Sequence, residues 1–118
     1  MIAIFITRDL MFQSKVAAMA QRSDCQLAIA ASLPAAQARC PDPALVEKVI
    51  LDLSFDGLDL SSTVEEVRQA MPGARIIAYG PHVHVDRLNL ARQSGCDLVQ
   101  TRGQFESNLS SLFLDAST

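Results

Sequence analysis

The sequence predicts an α/β fold: a five-stranded parallel sheet with helices on both faces. Two observations carry this prediction. Short apolar runs recur five times, and each is followed by a stretch with helical spacing of apolar residues. No linker, repeat or low-complexity stretch interrupts the alternation.

The first run, IAIFIT at 2–7, is continuous and β-branched, as expected of a strand buried on both faces. Phe12, Val16, Met19 and Ala20 then fall on one helical stripe. CQLAIA at 25–30 reads as the second strand. Ser32, with Pro34 in the first turn, opens a short helix to about Arg39. Pro41 and Pro43 force a loop, since neither can continue a helix. LVEKVILDL at 45–53 is the third strand. A long loop leads to Ser62, which with Glu65 predicts a capping box for a helix carrying Val64, Val67 and Met71. Pro72 and Gly73 end that helix, and ARIIAY at 74–79 is the fourth strand, broken by Gly80, Pro81 and His82. Val85, Leu88 and Ala91 form the next stripe, closed by Gly95. DLVQT at 97–101 is the fifth strand, and Phe105, Leu109, Leu112 and Phe113 mark the last helix.

The bulk properties narrow the function classes. At 118 residues the chain is expected to form one domain over 1–118, with a core that needs neither disulfide nor metal. A net charge of −3 argues against a nucleic-acid binder, which needs a basic surface. Cys25, Cys40 and Cys96 are odd in number and dispersed, without zinc-ligand spacing, and are expected to be reduced thiols in a cytoplasmic protein. MIAIFIT is too short to span a membrane and lacks the features of a signal peptide. There is no G-x-S-x-G, G-x-G-x-x-G or P-loop, so acyl transfer, dinucleotide binding and NTP hydrolysis have no support. Neither a cofactor nor a metal is expected, and the chain is not expected to be an enzyme.

In an open parallel sheet, ligands bind outside the carboxyl ends of the strands. Thr7, Arg8 and Asp9 follow the first strand, Asp52 to Ser54 the third, Gly80 to His82 the fourth, and Thr101 to Gly103 the fifth. Asp52 closes an apolar run at that edge, where a phosphoryl acceptor or a metal ligand would sit.

VILDL in the third strand, IIAYGP in the fourth and ARQSGCDLVQTRG at 91–103 together resemble the receiver domain of bacterial two-component response regulators. The last stretch resembles that family's A-x-x-x-G-A-D-D-Y-L-x-K-P signature. The resemblance covers the whole chain in topology, 45–53 and 74–105 in motif, and is weak over 1–43. It implies a flavodoxin-like (CheY-like) three-layer sandwich with strand order 2-1-3-4-5.

Family receivers hold Mg²⁺ on an acidic pair after the first strand and phosphorylate an Asp ending the third. A Thr or Ser ends the fourth strand and a Lys the fifth. Carried onto this sequence, the acidic pair matches Thr7 and Arg8, followed by Asp9, and the phosphoacceptor matches Asp52. Gly80 stands at the hydroxyl position, Arg102 at the lysine and Gly103 at the following proline. Phosphoryl transfer needs a metal and a fixed cation to neutralise the phosphoryl oxygens. A single carboxylate, Asp9, beside the permanent charge of Arg8 makes a poor Mg²⁺ site. The resemblance is therefore to a degenerate receiver, a pseudo-receiver.

Three functions follow as expectations. The first is a stand-alone signalling module without Mg²⁺-dependent phosphorylation of Asp52. It would bind a protein partner, or itself, through the face of the fourth helix, fifth strand and fifth helix. Arg87, Arg92, Gln100 and Phe105 are its candidate contacts. With nothing following the domain, any signal is expected to leave through a non-covalent surface. The second is a binder of a small anion, or a weak enzyme, using Arg8, His82 and Arg102 at the strand ends. The third is a phosphorylatable regulator using Asp52. Against the second and third stands a simpler expectation: Asp52 pairs with Arg8 or Arg102, those arginines are taken up by Asp52, Asp9 and Asp56, and His82 and His84 belong to a polar capping loop.

Overall fold

β1 (Ile2–Ile6) is the second strand of a five-stranded parallel sheet, paired with β2 (Gln26–Ala30) on one side and β3 (Val46–Asp52) on the other. β4 (Arg75–Gly80) and β5 (Leu98–Thr101) complete the order 2-1-3-4-5, as expected. A computed structural model of the chain describes residues 1–54 and 58–114. Asp56, one of the expected ion-pair partners, lies outside the described residues.

The continuous apolar runs form the buried middle of the sheet: Ala3 to Ile6, Val49 to Leu51 and Ile76 to Tyr79 are all buried. These three inner strands bury both faces because helices lie on both sides, which is why their runs do not alternate with polar residues. One face packs Ile4, Ile6, Val49, Leu51, Ile76 and Ala78 against α2 (Leu33–Ala38), α3 (Leu60–Ala70) and α4 (Val85–Gln93). The other packs Phe5, Ile50, Ile77 and Tyr79 against α1 (Leu10–Arg22), α5 (Arg102–Ser107) and α6 (Leu109–Leu114).

Helix starts follow their caps. Asp9 accepts the Phe12 N–H at α1, and Ser32 accepts the Ala35 N–H at α2, as the Ser–x–Pro pattern predicts. At α3 the prediction needs correction. Asp59, not Ser62, is the N-cap and accepts the Ser62 N–H, so the helix starts three residues earlier than the capping-box pattern suggests. The shift lets Leu60 enter the core. Pro43–Leu45, expected within a loop and the start of the third strand, form one turn of 3₁₀ helix before β3. The last predicted stripe is divided between α5 and α6 at Asn108, yet Phe105, Leu109, Leu112 and Phe113 are all buried.

Lys48 is buried near the start of β3, where its ammonium donates to the Leu112 carbonyl of α6. A cation at the carboxyl end of a helix also meets the negative end of its dipole. Cys25, Cys40 and Cys96 are free thiols, and burial pushes the Cys96 thiol up to about 11, leaving it a poor thiolate. No described helix is long and apolar enough to cross a membrane.

Candidate functional site at the carboxyl ends of the strands

The strand register brings Thr7 and Asp52 together. Ile6 pairs with Leu51 across β1 and β3, so the next residues along each strand, Thr7 and Asp52, stand side by side on the face of α1 and α5. The Thr7 hydroxyl donates to Asp52 Oδ2 at 2.6 Å, a short charge-assisted bond, and accepts the Asp9 N–H at 3.0 Å. The Ser54 N–H donates to Asp52 Oδ1 at 2.8 Å. Both carboxylate oxygens are thus engaged, and Asp52 is only 1 % exposed.

These contacts correct the expected ion pair. Among the described residues Asp52 is held by a hydroxyl and a backbone N–H, with no arginine bonded to it. Arg102 turns to Asp9 instead, at 2.9 Å, and lies over the Phe12 ring at 4.6 Å from its centroid. Asp9 is held below the ordinary carboxylate range, first by the Phe12 N–H and then by the Arg102 charge, which together outweigh its partial desolvation. Charge alone suggests an arginine for Asp52. Strand register selects the neighbouring threonine.

Tyr79, directly opposite Asp52 on β4, was not among the expected site residues. Its ring stacks on Phe105 at 4.2 Å and meets Phe12 at 5.5 Å, forming an aromatic plug beneath Asp52. The phenol is buried beside the Thr7 hydroxyl, and no contact to it among the described residues has good hydrogen-bond geometry. Burial, and after it the negative charge of Asp52, push its ionisation far upward, so it stays neutral. The register Asp52 to Tyr79 is the signal that would have found it.

Gly80 lies on the opposite face. A Cβ there would meet the Leu53 Cβ at 3.1 Å, so a residue bearing a hydroxyl would require Leu53 to give by a few tenths of an ångström. Gly103 has open space around it.

Among the described residues no recorded contact joins Arg8, His82 and Arg102. Arg102 is engaged by Asp9, and Arg8 borders a groove between the ends of β1 and β2. His82 is exposed in the loop after β4, two strands from β1, or roughly 10 Å by ordinary strand spacing. His84 occupies the N-cap position of α4 but makes no side-chain cap, and its Nδ1 is buried without a partner among the described residues.

The candidate partner contacts also separate. Phe105 is 1 % exposed, so it is a core residue and not a surface contact, because its ring fills the space over Tyr79. Arg87 turns inward and donates to the Leu53 carbonyl at 2.8 Å. Arg92 is exposed and bonds Asn89 within α4, and Gln100 is half-buried on edge strand β5. Val83, Val85 and Leu90, which the sequence reading did not single out as contacts, are large exposed apolar residues around α4.

The resemblance to receiver domains raises the question of Mg²⁺, which requires several hard oxygen ligands in near-octahedral geometry. Here the residues do not fit. Among the described residues no three His, Cys, Asp or Glu side chains gather as a metal site. Asp52 is occupied by Thr7 and Ser54, while Asp9 is spent on its cap and on Arg102.

No family model matches the chain, and no curated protein sequence matches it. Solved structures do. A CheY-like receiver domain from Methanospirillum hungatei JF-1 superposes with a TM-score of 0.75 at 11% identity, covering 98% of this chain and 91% of that one. A receiver domain from Clostridium thermocellum gives 0.76 at 15% identity, covering 98% and 92%. The beryllofluoride-activated receiver dimer of NtrC4 gives 0.72 at 14% identity, covering 97% of each. At such identities the likeness is one of fold, and the fold is that of the response-regulator receiver domains.

Proposed function

We propose that the chain is a pseudo-receiver: a signalling module of the bacterial two-component type that works through protein contacts, without Mg²⁺-dependent phosphorylation of Asp52. The observation that carries this reading is the 2.6 Å bond from the Thr7 hydroxyl to Asp52. The residue that replaces one member of the acidic pair does not leave a gap. It closes the carboxylate that a phosphoryl group would have to reach. Arg102, at the lysine position, faces Asp9, which favours a structural use of that cation over phosphoryl contact.

The module spans 1–118 and acts in the cytoplasm. Its partner, a different protein or a second copy of itself, meets the face of α4, β5 and α5. Arg92 and Gln100 remain on that face, with Val83, Val85 and Leu90 supplying the apolar surface that a docking face needs. The activated NtrC4 receiver is itself a dimer.

Incubation with Mg²⁺ and acetyl phosphate followed by intact-mass measurement tests the reading. The expected result is an unchanged mass. A stable added phosphoryl group that disappears in Asp52→Asn would establish the phosphorylatable alternative in its place.

A further inference from the structure

The two edges of the sheet, β2 and β5, are finished differently. In a parallel ladder the N–H and C=O of one residue point to the same side, and successive residues alternate. On β2 the Ala30 carbonyl accepts the Thr7 N–H, so the Ile29 carbonyl faces outward, and there the Arg39 guanidinium donates to it. A side chain from the end of α2 thus guards that edge. On β5 the Asp97 N–H donates to the Ile76 carbonyl, so Leu98 and Gln100 present their N–H and C=O outward. Among the described residues no hydrogen bond outside the β4–β5 ladder reaches the backbone of Leu98, Val99 or Gln100. The strand is half-buried and carries neither charge nor proline, the usual guards of an exposed edge.

A groove runs beside this open edge on the face of α5 and α6. Leu98 and the buried Leu112 line it, and Arg75, Gln100, Asn108 and Ser111 bring polar atoms to it. Arg75 lies two residues before Ile77, the β4 partner of Leu98, or roughly 7 Å further along at ordinary strand rise. It is exposed and has no hydrogen bond or ion pair among the described residues. A strand added to β5 would satisfy the outward backbone groups, while its side chains on this face would enter the groove towards Arg75. A carboxylate there would meet the fork of a guanidinium.

We propose that β5 takes an added strand from a partner protein: an extended acidic segment whose backbone pairs with Leu98 and Gln100 and whose carboxylate meets Arg75. The proposal rests on the reading that a partner docks on the face of α4, β5 and α5, and it gives that partner a chemistry. A second copy of the chain fits less well. The carboxylate next to its β5, Asp97, is already bonded to Arg68 and to the Ile76 N–H, so its edge brings no free carboxylate to Arg75.

Amide NMR of the full chain tests this, with short acetylated and amidated peptides of alternating Thr and Val that carry a single Glu, placed at each position in turn. The expected result is saturable shifts at Leu98, Val99 and Gln100, with slowed amide exchange at Leu98 and Gln100. Replacing the Glu of the best peptide by Gln, or Arg75→Gln in the chain, is expected to weaken binding by about threefold, as for a solvent-exposed ion pair. Methylating the peptide's own N–H groups is expected to abolish it. Absence of saturable shifts with any peptide at concentrations on the order of 10 mM, the millimolar range of weak binding, would overturn the proposal. So would undiminished binding of the methylated peptide, or unchanged affinity on both Gln replacements. Shifts confined to Val83, Val85 and Leu90 would overturn the added strand while leaving the docking face in place. Shifts at Leu98 and Gln100 that vary with protein concentration in the absence of peptide would overturn it in favour of a second copy. Phosphorylation of Asp52 would contradict the pseudo-receiver reading alone, since the β5 titration is read independently of it.

Discussion

The two faces of the sheet are built from different materials. The face under α2, α3 and α4 is aliphatic throughout its sheet positions, from Ile4 and Ile6 through Val49 and Leu51 to Ile76 and Ala78. The face under α1, α5 and α6 carries Phe5 and Tyr79 on the strands and Phe12, Phe105 and Phe113 on the helices. It also holds the buried ionisable groups of the sheet, Lys48 at one end of β3 and Asp52 at the other. The aliphatic face is a packing surface that many combinations of similar volume would satisfy. The aromatic face fixes particular polar atoms: Thr7 against Asp52, Lys48 against the Leu112 carbonyl, and Arg102 over Phe12. The buried polar contacts of β3 therefore belong to one face.

The largest test of that contrast is Phe105→Ala. Removing a ring stacked at 4.2 Å on Tyr79 should cost about 3–5 kcal/mol, while the conservative Ile76→Val on the aliphatic face should cost about 0.5–1.5 kcal/mol. Urea unfolding followed by circular dichroism measures both. Equal costs would erase the distinction between the faces.

Next in size is Thr7→Val, which keeps the shape and removes the hydroxyl. Asp52 Oδ2 would then be buried without its donor, at a cost of about 1–3 kcal/mol. The midpoint in urea should fall without a change in slope. A variant as stable as the parent would mean that the Thr7–Asp52 bond does not hold the site closed.

The smallest effect sharpens the account at the rim. Asp9→Asn keeps an oxygen for the α1 cap but removes the charge facing Arg102. The folded carboxyl is held below its ordinary value, so its contribution is present above the unfolded pKa, near 4, and fades as pH falls through the folded one. The parent should therefore melt slightly higher than Asp9→Asn at neutral pH, by about 0.5 kcal/mol, as for other solvent-screened pairs. The two melting curves should converge below pH 4. A gap that widened on acidification would have the opposite sign to this linkage.

The same contrast explains what could be read from the chain. Strand order and layering were accessible because IAIFIT, VILDL and IIAY are continuous apolar runs, and only a sheet covered on both faces needs those. The start of α3 was not, because Asp59 and Ser62 are both good caps and the burial of Leu60 decides between them. The partner of Asp52 is hidden from the sequence for a related reason. Opposite charge points to Arg8 or Arg102, whereas the register of β1 on β3 places Thr7 beside it. The sequence offers Phe105 as a surface contact because its helical stripe is legible there and its stacking on Tyr79 is not.

The central claim is that Thr7 and Ser54 close Asp52 to metal and phosphoryl ligands, and amide NMR tests it most directly. Titrating the labelled chain with Mg²⁺, then adding beryllofluoride as a phosphoryl mimic, should leave the Thr7, Ser54 and Thr101 resonances in place. Saturable, Mg²⁺-dependent shifts at those three positions, abolished in Asp52→Asn, would contradict the account and return Asp52 to the role of phosphoacceptor.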